Sequence, residues 1–180
     1  MGVFTTDEAV QAGLSQPTLS RLTSKGKITK IRNAVYVHPD SNINPQEYDL
    51  AVACKYFGKA ATVGGLTALF YHGLVDRSPK RIWVLVPYNQ KSANPLYRCL
   101  RTKTSPSKGI EIHKYFRVTN LERTLVEALR YSTKIGFPTA LNAVRKALAE
   151  KRTDEAKLLQ TAKQLGLQSV IQKYWDVLTP

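Results

Sequence analysis

The first forty residues constrain this chain more than any other stretch. Residues 5–26 read as two short helices joined by a tight turn, and 28–37 as a basic β-hairpin hung on the second helix. Thr5 and Glu8 have the S/T-x-x-E spacing of a capping box, in which the hydroxyl accepts from the amide three residues on and the carboxylate reaches back. Phe4 and Ala9 take the positions of a hydrophobic staple, and Asp7 and Glu8 suit the positive end of the helix dipole. Gly13 offers a left-handed stop and Leu14 plugs the corner. Ser15 caps the second helix, with Pro17 in a first turn that has no use for its missing N–H. Leu19 and Leu22 give that helix a buried stripe, its other face carries Gln16, Thr18, Ser20, Arg21 and Lys25, and Gly26 ends it. In the hairpin, Ile28, Ile31, Val35 and Val37 have strand chemistry, and Asn33-Ala34 supplies a turn in which Asn takes positive φ. Lys27, Lys30 and Arg32 project from the same ribbon.

That order is the order of a winged helix-turn-helix, which lays its second helix in the major groove of DNA. The exposed residue types suit the task. Arginine forks onto guanine, glutamine onto adenine, and serine or threonine onto groove atoms or phosphate oxygens. The competing account is a merely solvated polar face, and the three cations of the wing argue against it.

Charge extends the argument beyond the reading head. The 180 residues carry a formal charge of +14, and 77–117 hold ten cations against the single anion Glu111. Arg77, Lys80, Arg81, Lys91, Arg98, Arg101, Lys103 and Lys108 make this segment a candidate phosphate-contact patch, with binding that falls steeply with salt. A membrane surface fits less well, since no basic amphipathic helix accompanies the charge and no apolar run is long enough to span a bilayer. No secretory signal pattern opens the chain. Cys54 and Cys99 have no metal spacing, which reads as a reducing, cytoplasmic setting without a disulfide. His38, His72 and His113 are scattered singly, as surface or core imidazoles are.

Beyond a turn-rich linker at 39–45, the pattern predicts a helix at 46–57, a short strand at 61–63, and a helix at 66–72 opened by Gly64 or Gly65 and closed by Gly73. Residues 82–86 are the clearest strand, apolar and largely β-branched, and therefore buried on both faces. Further strands are expected around 97–101 and over 109–117. A helix follows, capped by Thr119 or Asn120 with Glu122 near its third position, and then helices from Pro138, over 154–165, and over 169–178 with Val170, Ile171, Tyr174 and Leu178 facing in. The fold class is α+β: an N-terminal winged helix-turn-helix over 1–38, then over 46–180 a mixed domain with a small β-sheet and a helical C-terminal half.

Enzyme chemistry has little support. No phosphate-binding loop, nucleophile elbow or zinc-protease motif occurs. A nuclease would have to rely on Asp76, Glu111 and His113, too few carboxylates for a magnesium site. The Gly64-Gly65 pair has no following lysine and reads as a turn with close backbone contact rather than a phosphate cradle. No catalytic residue, metal or cofactor is expected. The alternative class is a basic module that grips RNA or a protein through the 77–117 patch.

The string FTTDEAVQAGLS over 4–15, followed by Leu19 and Arg21-Leu22, then Gly26, Ile28, Ile31-Arg32 and Val35-Tyr36, resembles the winged helix of AbiEi-type antitoxins. These belong to abortive-infection, type IV toxin–antitoxin systems. Downstream, LTALFYHGL over 66–74, the 82–87 strand and VTNLERTLVE over 118–127 are similar to successive motifs of the same family. Two departures stand out: the family usually has glycine in the wing turn where this chain has Asn33-Ala34, and a helix upstream of the Phe4 segment. The second implies a trimmed domain, or one that borrows its support from elsewhere. The resemblance implies a cytoplasmic antitoxin that binds inverted repeats in its own promoter, represses a two-gene operon, and neutralises a nucleotidyltransferase-like toxin, often without stable contact. It places DNA contact on Gln16, Thr18, Ser20, Arg21, Lys25, Lys27, Lys30 and Arg32, and leaves Arg123 and Thr124 as structural residues.

Overall fold

In the computed structural model, which describes residues 2–178 other than 33, 42, 59, 105 and 106, the chain opens with a strand that the residue pattern does not announce. β1 (Val3–Thr5) leads into α1 (Thr6–Gln11), α2 (Gln16–Ser24), β2 (Thr29–Arg32) and β3 (Val35–Val37). Thr5 and Glu8 form the full capping box of α1, and Gly13 leaves the helix at a φ of 85°. Ser15 caps α2 by accepting from the Thr18 N–H, as its position predicts.

β3 is central in a three-stranded sheet of order β1-β3-β2, antiparallel throughout. Its residues are buried on both faces. Tyr36 stacks on Phe4 in a core with Ala9, Leu19 and Ile28, and Leu14 and Leu22 close the edge. Val35 and Val37 turn the other way, with Val3, onto Ala51 and Val52 of α3 (Pro45–Phe57). The winged helix therefore rests on the helix that follows it. At the wing turn Asn33 lies outside the described residues, and the residue observed at positive φ is Ala34, at 63°.

The rest of the chain builds a five-stranded sheet of order β6-β5-β4-β8-β7 from β4 (Thr62–Val63), β5 (Ile82–Pro87), β6 (Tyr97–Thr102), β7 (Ile110–Ile112) and β8 (Arg117–Thr119). β5 pairs β6 in parallel, Trp83 opposite Arg98 and Val86 opposite Arg101. Alternation then assigns the faces. Val84 and Val86 pack with Phe57 and Tyr97 under α3, while Trp83, Leu85 and Leu100 join the helical layer. That layer comprises α4 (Gly65–Tyr71), α5 (Leu121–Arg130), α6 (Ser132–Ile135), α7 (Phe137–Ala149), α8 (Glu155–Leu165) and α9 (Gln168–Leu178). α5 is the central element, with every residue from Arg123 to Leu129 buried.

The expected single strand at 109–117 is a correction. It is a hairpin, β7 antiparallel to β8, because the chain reverses through a turn in which the His113 N–H donates to the Phe116 carbonyl and Phe116 drops into the core. Asn120, not Thr119, caps α5, and Glu122 lies at its second position. The Thr119 hydroxyl is instead engaged with that of Thr124 at 2.6 Å. The four-residue α6 adds a helix that the sequence pattern does not announce. The side chain of Leu178 lies outside those described, whereas Ile171 is fully buried and Val170 and Tyr174 pack against the same core.

Candidate nucleic-acid interface

α2 is anchored by Leu19, 1 % exposed, and half-buried Leu22. The 3.6-residue period then turns Gln16, Ser20, Arg21 and Ser24 to the outside as one strip. Lys25 and Lys27 continue it past the helix end, and Lys30 lies exposed on β2. Gln16, Ser20, Arg21, Lys25, Lys27 and Lys30 are all exposed, and none of them bonds another described residue through its side chain. Thr18 differs: it is half-buried and its hydroxyl is held by Ser15 at 2.9 Å. The side chain of Arg32 lies outside those described.

The eight cations expected as a phosphate patch are all exposed, but the fold does not gather them on one surface. Arg98 and Arg101 leave β6 on opposite faces of the sheet. Arg98 lies over the Trp83 ring, 4.6 Å from its centroid. Arg101 and Lys103 converge on Tyr88, at 5.5 and 5.1 Å. Lys80 lines a cleft shared with Glu47 and Asp49, and the Lys108 ammonium donates to the Gln164 carbonyl. Arg77, Arg81 and Lys91 stand exposed in loops.

The thin nuclease constellation is only half assembled. His113 Nε2 lies 3.6 Å from Glu111 and 3.2 Å from the Tyr71 hydroxyl, but Asp76 stands exposed elsewhere. Among the described residues no three His, Cys, Asp or Glu gather as metal ligands. Burial and the negative charges of Glu111 and Glu47 push the Tyr71 hydroxyl up, which makes it a poor base partner. His72 Nε2 pairs with the Thr119 carbonyl at 2.8 Å. Cys54 and Cys99 are both free thiols, and burial pushes both up. The two glycines that open α4 serve close contact: a Cβ on Gly65 would stand 2.7 Å from the Trp83 ring, and Gly65 has a φ of 54°.

Arg123 and Thr124 are structural, as expected. Arg123 is 1 % exposed, pairs with Glu127 at 3.2 Å, and donates through Nη1 to the Lys108 carbonyl. Residue order gave no signal for another group, Thr62, Tyr88, Thr102 and Thr104, which come from three different strands and their flanks to line one cavity.

No curated protein matches the chain. Among solved structures, the crystal structure of the RV2827C protein from Mycobacterium tuberculosis superposes with a TM-score of 0.64 at 14% identity, covering 99% of this chain and 71% of that one. At that identity the likeness speaks for the fold alone. The family model for the AbiEi antitoxin C-terminal domain matches residues 60–178, which hold the whole five-stranded sheet and all of the helical layer but neither the winged helix nor α3. With that match over most of its length, the chain belongs to the AbiEi antitoxin family and has the antitoxin role in a toxin–antitoxin pair.

Proposed function

We propose that this antitoxin is a DNA-binding autorepressor that reads inverted repeats in its own promoter through α2, and that it acts without catalysis. The observation that carries the reading is the exposed strip Gln16, Ser20, Arg21, Lys25, Lys27 and Lys30, set on a helix-turn-helix whose opposite face is locked by Leu19. An exposed cationic side chain can exchange water for a phosphate or a base edge. Arg21 is the residue for a guanine fork and Gln16 for adenine; Thr18, already bonded to Ser15, serves position rather than readout. Arg32 belongs to the wing contacts. A sequence pI near 9.9 supports a polyanionic partner.

In this reading residues 1–38 form the reading head, 39–45 the connection and 46–180 the part that counteracts the toxin. The toxin is nucleotidyltransferase-like and is neutralised in the cytoplasm without a stable complex. Among the scattered cations of 77–117, Arg77, Lys80, Arg81, Lys91 and Lys108 add non-specific attraction rather than a second reading surface.

The test is a fluorescence-anisotropy titration of the full chain against its own upstream duplex and a scrambled duplex at two salt concentrations. Tighter binding to the native duplex that survives the higher salt is expected. Equal, salt-labile binding to both would overturn sequence-specific repression and favour a general binder of RNA or protein.

A further inference from the structure

The carboxyl ends of the parallel strands β5 and β6 border a cavity of about 370 Å³, closed on one side by the first turn of α5. In open sheets with parallel strands, ligands seat outside those ends. The volume lies in the range of small-ligand sites, about 300–1,000 Å³.

The wall changes character from inside to outside. Leu85, Val86 and Pro87 make an apolar slot. Thr62 reaches it from β4, is 1 % exposed, and its Oγ1 has no hydrogen-bond partner among the described residues. An unpaired buried hydroxyl costs stability unless something arrives to pair it. Opposite, the Thr102 and Thr104 hydroxyls are set by Arg130, whose Nη1 donates to them at 3.3 and 2.9 Å. At the mouth Tyr88 is 59 % exposed, with Arg101 and Lys103 over its ring. No carboxylate lines the cavity among the described residues.

An apolar slot with one waiting hydroxyl fits a nucleobase, whose edge needs one or two hydrogen bonds and whose faces need only contact. An exposed ring beside cations fits the same ligand, since bases stack on aromatic side chains while lysine and arginine follow the phosphate. We propose that this cavity binds a nucleoside phosphate, either free or as the unpaired end of a nucleic-acid strand. The base edge pairs with Thr62, its outer face meets Tyr88, and the phosphate lies against Lys103 and Arg101. The site draws nothing from the helix-turn-helix, so it stands or falls apart from duplex recognition.

The experiment is calorimetric titration of the full chain with the four ribonucleoside 5′-monophosphates, inorganic phosphate and a four-nucleotide single-stranded RNA. At least one monophosphate is expected to bind saturably, and more tightly than inorganic phosphate. Thr62→Val keeps the side-chain shape and removes only the hydroxyl, so it is expected to fold at least as stably as the parent and to bind about three- to tenfold more weakly. Tyr88→Ala is expected to lose about tenfold or more, whereas Arg98→Ala, on a side chain outside the cavity, leaves affinity unchanged. Preference for the tetranucleotide would identify a strand end as the source, and preference for the monophosphate a free nucleotide. Absence of saturable binding at millimolar concentration, equal affinity for inorganic phosphate, or unchanged affinity in both Thr62→Val and Tyr88→Ala would overturn the proposal.

Discussion

Lys55 Nζ lies 2.5 Å from Glu8 Oε1, while the other oxygen of the same carboxylate accepts the Thr5 backbone N–H at 2.8 Å. One side chain thus closes the capping box of α1 and ties α1 to α3. Burial pushes the Glu8 carboxyl up. The hydrogen bond from Lys55, the Thr5 backbone hydrogen bond and the Lys55 charge together outweigh that and hold it below its ordinary 4.5.

Acid should therefore loosen this clip. The folded pKa lies below the unfolded one, so the unfolded chain takes up the proton first as pH falls. The contribution is complete above the unfolded pKa and is lost as pH drops through the folded one. Lys55→Met is expected to cost less than about 1 kcal/mol at pH 7, because the pair is partly exposed. It should also flatten the loss of stability on acidification. Urea midpoints at pH 7, 5 and 3 for parent and variant test this, and parallel acid slopes would contradict it.

Arg123→Met should be far more damaging. Arg123 and Glu127 are each 1 % exposed, and burial pushes the Glu127 carboxyl up against the opposing pull of Arg123 and Arg130. Removing the guanidinium strands a buried carboxyl, at a cost of about 3–5 kcal/mol. Replacing both partners, Arg123→Met with Glu127→Leu, should recover much of it. A double-mutant cycle by chemical denaturation measures the coupling, and additive losses would refute a paired role.

Two backbone sites should respond in opposite directions. Ala34, at a φ of 63°, sits where a side chain is penalised, so Ala34→Gly should stabilise by about 1 kcal/mol. Gly65→Ala adds a methyl 2.7 Å from Trp83 and 2.9 Å from Leu100 at a φ of 54°, and should cost about 1–3 kcal/mol. Thermal melts of the two variants give the signs directly.

On DNA, Arg21→Ala and Lys30→Ala should separate readout from attraction. The first should lose about 1–3 kcal/mol on the native duplex and relax sequence preference. The second should weaken native and scrambled duplexes alike and reduce the salt slope by about 1. Anisotropy titrations across salt would count against this division if the two variants lost equally on both duplexes.

Elements governed by neighbours a few residues away were legible in the chain. The Thr5–Glu8 box, the Ser15 cap, the helix-ending glycines 13, 26 and 73, and the buried 82–86 strand all follow from contacts within one turn or from simple alternation. The exposed strip of α2 was legible for the same reason, since a helix repeats every 3.6 residues whatever surrounds it.

Tertiary structure decided what depends on partners distant in sequence. Val3–Thr5 is too short to declare itself a strand and becomes one only because β3 offers it an edge. Residues 110–119 divide into a hairpin because Phe116 finds a core built from α3 and α4. The cations of 77–117, one block in the sequence, separate because strand alternation sends Arg98 and Arg101 to opposite faces. Thr62, Tyr88 and Thr102 meet only through the pairing of β4, β5 and β6, and no local pattern encodes a meeting across forty residues. Local chemistry sets which way a side chain leaves its own element; packing between elements sets what it meets.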